Sequence, residues 1–529
     1  MWDKRTTCLV MALLVLSLTI GPVSAQLTKM TLVIAHTSEG LTLDPHGTAD
    51  RETRIVTHQL FDFLFTTTAQ GVEPGLATKW EVSSDGKMWI LTLRDDVKFH
   101  DGTPFNAAAV KYNFERAALR GPKAPVLAPI AANYERAEIV SPTQIRVILK
   151  QPWAAFLTTV GGEFFGMVSP TAAERLGDDF GRAPVGTGPY YFKSWVPNES
   201  MIIARNPAYR WGARFLENTG PARIDEIVYR LIPEPSTLTA SFQRGEVQVL
   251  DFVAATDVTR LRQSGFAFDT EVQITPGVPS TYHFNTEREP VNDARVRQAV
   301  AYAINKSVLQ QSPAYGQGLI RPVYTYLTRT NWAHSAELEA SRPYAFDVQR
   351  SRRLLEEAGW RPGPDGIRVK DGKPLVLDVL SFAPFLISTS TDIIVQGQLR
   401  EVGIGTEIRK VDLASLFAGM RGGQFHVVLT AVSGFDPESS LRRGFYSTGG
   451  ANWSRYRNPQ FDRMLEQGGE ELNVAKRRTI YRQAQEAMFR DLPAIPMVPF
   501  TGIVLKHKNV SGIWFDPRAG FRLVNAEIK

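Results

Sequence analysis

The sequence predicts an α/β protein divided into lobes, and three observations carry that reading. At 529 residues the chain is longer than a single hydrophobic core supports. Apolar period switches repeatedly between 2 and 3.6, so strands and amphipathic helices alternate along most of its length. Hydrophobic residues at 43% and charged residues at 22% are ordinary for a globular chain, so no bulk composition argues for disorder or a fibre.

The first expected strand spans 30–35 around Leu32, Val33 and Ile34, and a polar loop over 36–43 ends it. Loops at such strand ends line ligand crevices in open α/β sheets. Asp44-Pro45 turns the chain, and Ile55, Leu60, Phe61 and Leu64 fit a helix packed on the sheet. From 71 to 182 strands and helices alternate again. Trp89, Leu91 and Leu93 recur every second residue; His100-Asp101-Gly102-Thr103-Pro104 then forces a reversal; Asn106 caps a helix with Val110, Phe114 and Ala117 on one face. Further strands are expected over 144–149, 190–195, 224–231 and 246–252, with a helix over 235–244. The chain crosses into a second lobe near Thr281-Tyr282-His283-Phe284-Asn285. Helices follow over 293–306, over 350–360 with Gly359 as C-terminal cap, and over 475–489, and the stretch 493–499 returns the chain to the first lobe.

The ends and the charge narrow the function. Lys4 and Arg5 precede an apolar run over 9–20, and Val23-Ser24-Ala25 offers a signal-peptidase site, so 1–25 reads as a cleaved export signal. The run is shorter than the roughly 20 residues of a spanning helix. The single cysteine, Cys8, lies inside that signal and ahead of most of the apolar run, which excludes disulfides and thiolate chemistry from the mature chain and does not fit a lipid anchor. A net charge of +6, scattered among acids, makes no concentrated patch of the kind nucleic acid requires.

Several motifs then point one way. The string from Leu93 to Phe105, Leu-Arg-Asp-Asp-Val-Lys-Phe-His-Asp-Gly-Thr-Pro-Phe, follows Pro74-Gly75-Leu76-Ala77 and Trp80. Later come Pro184-Val185-Gly186-Thr187-Gly188-Pro189-Tyr190, Asn206-Pro207-Ala208-Tyr209, Arg297-Gln298-Ala299, Ala301-Tyr302-Ala303-Ile304, Tyr456-Arg457-Asn458-Pro459 and Phe461-Asp462. In this order they resemble the extracytoplasmic solute-binding proteins of ABC importers, family 5, the peptide, dipeptide and nickel group. One departure stands inside the first motif: the family usually carries an acid just before the valine of the helix, and this chain has Ala109.

The resemblance implies a two-lobed periplasmic binding protein of type II with an extra subdomain and a ligand cleft between the lobes. It implies a lobe I core of 26–70, 183–279 and 496–529, an inserted subdomain of 71–182, and a lobe II of 280–495. It further implies a periplasmic monomer that binds a small molecule or short peptide, delivers it to permease subunits in the inner membrane, and needs no cofactor. Four segments match the family's lining positions, giving Ser38, Glu39 and Gly40; Tyr282, Phe284 and Asn285; Thr430, Ser433, Phe435 and Asp436; and Asn452 and Trp453, with Phe500 as a fifth contact. Peptide-binding members place a tryptophan and then an acid before an Asp-Pro or Glu-Pro pair. Aligning on Asp436-Pro437 puts Thr430 and Ser433 there, so the charge that would hold a free ammonium is missing. Asp436 or Glu39 is the expected substitute, and Arg421, Arg442 and Arg443 are candidates to meet a ligand carboxylate.

No nucleophile elbow, phosphate loop or His-Glu-x2-His motif occurs, and the eight histidines never fall at close metal-ligand spacing. The expectation is therefore binding without catalysis. The ligand is expected to be a short peptide or a solute without a free α-amino group, such as an opine, a modified peptide, an oligosaccharide or a metal chelate. A secreted hydrolase and a sensor that reports to a membrane receptor are the rival classes.

Overall fold

The computed structural model describes residues 29–529 apart from 48–49, 69–70, 122–123, 383–385 and 517–519. The expected export signal and Cys8 lie outside the described residues. No described helix is long and apolar enough to cross a membrane.

Two large sheets organise the chain. The first has seven strands in the spatial order Phe268–Ile274, Thr501–His507, Val249–Leu250, Thr31–His36, Glu226–Leu231, Ser200–Arg205, Tyr190–Val196. Thr31–His36 lies parallel to both its neighbours, and the outer strands are antiparallel. The second has five, in the order Gly405–Val411, Val376–Phe382, Val427–Ser433, Gly277–Phe284, Ala494–Val498. The chain passes between the sheets twice, each time through two residues: Thr275-Pro276 on the way out and Pro499-Phe500 on the way back. These crossovers are side by side, since Ile274 pairs with Thr501 in one sheet and Ser280 with Val498 in the other. By sheet membership 277–279 and 496–498 go with the second sheet. A continuous apolar core runs past the crossovers and joins Leu250, Ile503 and Leu505 to Tyr282, Val498 and Met497.

A four-stranded sheet, Ala77–Val82, Met88–Leu93, Gln144–Leu149 and Tyr134–Ser141, stands on the first lobe. Its second strand buries Trp89, Leu91 and Leu93, the period-2 face read from the sequence. Gly102 takes a φ of +84° in the reversal, and the Asn106 side chain accepts from the Ala109 amide at 3.0 Å to start helix Ala107–Arg120. This subdomain touches the second lobe directly: the Ala154 amide donates to the Gly469 carbonyl at 2.9 Å.

Three expected elements differ. The helix expected to carry Ile55, Leu60, Phe61 and Leu64 ends at Leu60, because Phe61 is extended and leads the chain toward strand Phe65–Thr68. The strand over 246–252 pairs only at Val249–Leu250, because Phe252 sits at φ +59° and turns the chain toward helix Ala255–Gln263. The helix over 293–306 stops at Ala303: Ile304 and Asn305 leave helical geometry, and the Asn305 side chain caps a new helix, Lys306–Gln311.

Candidate functional site

The two sheets meet around the crossovers, and the residues there come from both lobes. Thr275 donates its amide to the Phe500 carbonyl at 2.9 Å, which ties the crossovers together. On the first-lobe side the Phe500 ring lies 6.2 Å from Phe252, whose ring carries the Arg51 guanidinium at 5.5 Å. Arg51 opens helix Arg51–Leu60 and donates to both Asp251 oxygens, at 2.5 and 3.2 Å, and to Gln273 at 2.8 Å. Sequence reasoning missed Arg51, Asp251, Phe252 and Gln273. They are scattered over more than 220 positions, and only the Asp50 cap beside Arg51 leaves a local trace.

On the second-lobe side, strand Val427–Ser433 is buried at its start and opens to solvent at its end, where Thr430 and Ala431 are half-buried and Ser433 is exposed. Ser433 pairs with Gly277, and the Gly434 amide donates to the Pro276 carbonyl at 3.0 Å, so this strand end abuts the first crossover. A Cβ on Gly277 would come within 2.6 Å of the Val432 carbonyl, which explains glycine there.

Of the two carboxylates expected to replace the missing acid, Asp436 is taken by an arginine and Glu39 accepts only from neutral donors among the described residues. Asp436 is 3% exposed and receives two hydrogen bonds from Arg477, at 2.7 and 3.1 Å, while its Oδ1 caps the turn by accepting from the Glu438 amide. Glu39 accepts from the Trp195 indole at 2.6 Å and from the Asn198 amide at 3.1 Å. Ser38 donates to Glu52 at 2.5 Å, and Gly40 packs so close to the first helix that a Cβ would lie 2.8 Å from Thr53 Oγ1.

The remaining expected residues divide. Tyr282 and Phe284, at 2% and 0% exposure, fill the second-lobe core, and the Tyr282 hydroxyl donates to Asp392. Asn285 and Asn452 satisfy backbone: Asn285 donates to the Gly423 carbonyl, Asn452 to the Tyr446 and Tyr456 carbonyls. Trp453 is half-buried against the small cluster of Leu380 and Val428, 6.3 Å from the Phe417 ring. Phe435 is half-buried, and its carbonyl accepts from Asn331. Phe500, Thr430, Ser433 and Phe435 are the four that remain part-exposed near the crossovers.

Unpaired charges of both signs stand among these residues: Glu39 and Glu52 accept only from neutral donors among the described residues, and Arg443 is exposed. Arg443 donates to the Ser433 carbonyl at 3.2 Å and has no ion pair among the described residues. Its side chain is exposed to solvent, and the partial desolvation by neighbouring protein lowers its pKa. Arg442, by contrast, pairs with Glu438 at 2.9 Å. The buried histidines are neutral for the same reason of desolvation: His283 is held down to about 3 and His46 to about 3. Among the described residues no group of three or more His, Cys, Asp or Glu is placed to hold a metal.

Residues 71–452 match the family described as bacterial extracellular solute-binding proteins, family 5. The glutathione-binding protein GsiB of Escherichia coli (strain K12) is 28% identical over 532 residues, covering 94% of each chain. Among solved structures, NikA from Brucella suis in complex with Fe(III)-EDTA superposes with a TM-score of 0.84 at 25% identity, covering 94% of this chain and 100% of that one. The dipeptide-binding protein from Pseudoalteromonas sp. SM9913 in complex with Met-Leu has the same fold, with a TM-score of 0.75, 23% identity, and coverage of 94% and 97%. Two sheets joined by paired crossovers, an inserted subdomain and a family match over most of the length place this chain among the family 5 solute-binding proteins of ABC importers.

Proposed function

We propose that the cleft at the crossovers captures a small, peptide-like solute that presents a carboxylate and no free α-ammonium, and that the lobes close on it for delivery to an ABC permease. One observation carries the reading. Beside Ser433 the expected acid Asp436 is taken by Arg477, while Arg443 has no ion pair among the described residues. A free ammonium buried beside Ser433 would lack a charge-assisted acceptor, whereas a carboxylate would meet the exposed Arg443 guanidinium. The ligands named for the relatives agree in this group: glutathione, Met-Leu and Fe(III)-EDTA all carry carboxylates, and only the first two carry an ammonium.

Ser433, Arg443, Thr430, Phe435 and Phe500 are the contacts, with Trp453 at the edge, and lobes I and II move as units about Thr275-Pro276 and Pro499-Phe500. The protein performs no chemistry on its cargo. It works as a periplasmic monomer whose mature chain starts at Gln26, after the small residues Val23-Ser24-Ala25. Calorimetry with Met-Leu, its N-acetyl derivative and its C-terminal amide tests the reading. Acetylation should leave binding intact and amidation should weaken it by about tenfold or more; the reverse order overturns it.

A further inference from the structure

A cavity opens on the other side of the hinge. Its volume is about 240 Å³, and it is walled by Val272 and Ile274 ahead of the first crossover, Pro499 and Thr501 at the second, and the second-lobe stretch 319–323. Strand alternation fixes its side. Ile274 and Thr501 pair and share one face, while their neighbours Gln273 and Gly502 face Arg51 and the cleft. The cavity is therefore separated from the solute site by the thickness of the crossover strands, and both lobes contribute to its wall.

Its lining combines an apolar wall with excess positive charge. Arg321 and Arg329 both line it, are exposed, and have no ion pair among the described residues. The acid in the lining, Glu339, is already occupied: it accepts from the Tyr324 amide at 3.2 Å and from Thr325 Oγ1 at 2.8 Å, and His334 stands 3.8 Å away. Two unmatched guanidiniums over Val272, Ile274, Leu319 and Ile320 suit an occupant with one anionic end and an apolar body. The volume lies under the roughly 300–1,000 Å³ of drug-sized sites, so that occupant is small.

We infer that this hinge-back cavity is a second binding site, for a small amphiphilic carboxylate, distinct from the solute cleft. Because the wall is built from both lobes, an occupant that fits one lobe arrangement better than the other biases closure by that difference in affinity and no more.

Octanoate is the probe and octan-1-ol its uncharged control, titrated calorimetrically into the full chain without cleft solute. Octanoate should bind with a dissociation constant below about 1 mM, and octanol about tenfold more weakly. The double variant R321Q/R329Q, altered at two exposed positions, should lose about tenfold for octanoate and nothing for octanol. Leu319→Trp, which fills the cavity and keeps both arginines, should abolish binding of both. Equal affinity for acid and alcohol, octanoate binding that survives either variant, or no heat with octanoate overturns the inference. None of these outcomes bears on the cleft, whose contacts are untouched by the substitutions.

Discussion

Ser433 and Asp436 stand three positions apart on one turn, and only Ser433 meets solvent. Asp436 is tied to Arg477, a partner 41 residues away that no local pattern announces, and it caps the turn at Pro437 by accepting from the Glu438 amide. Supplying the missing acid is the direct test of this division of labour. Ser433→Asp should improve binding of Met-Leu by about 1–3 kcal/mol and weaken binding of its N-acetyl derivative, as calorimetry on both proteins reads. Glu438, on the same turn, gives a pH signature. Burial pushes its carboxyl up to about 7 against the opposing pull of Arg442. The unfolded chain gives up this proton near its ordinary value of 4.5, so Glu438 costs stability increasingly from about pH 4.5 to 7 and constantly above. Glu438→Gln should flatten that decline, visible as a smaller drop in melting temperature between pH 5 and pH 8.

Elements with strict periodicity were legible, and those set by a single backbone angle were not. The alternation of Trp89, Leu91 and Leu93, the reversal at Gly102, where glycine itself advertises the positive φ, and the Asn106 cap all follow from residue types whose preferences act locally. The short pairing at Val249–Leu250 depends on the positive φ of Phe252, a conformation that phenylalanine does not advertise. Asn305 was readable as a cap in principle, but the apolar face from Val296 to Ala303 masked the break that follows it. Ala109, where the family usually has an acid, is 4% exposed, so the helix start relies on Asn106 alone. Asn106→Ala should therefore cost about 1 kcal/mol in urea unfolding, with no change in solute affinity.

At the scale of the whole molecule, two crossovers of two residues each carry all covalent continuity between the sheets, and the Ala154–Gly469 contact links the inserted subdomain to the second lobe. Motif order in the sequence was enough to place the chain in its family and to anticipate its two lobes. The cleft was legible only in part: Ser433 and Phe500 stand at the crossovers, but Tyr282 and Phe284 fill the core, and the Arg51, Asp251 and Gln273 cluster forms only when the first sheet assembles. Side-chain pairing across hundreds of residues decides which charges are spent and which are free, and that is a property of the fold. Native mass spectrometry of the protein purified from its own periplasm tests the central claim most directly. The account predicts one bound small solute per chain that carries a carboxylate and no free α-amino group; a copurifying peptide with an unmodified amino terminus would contradict it.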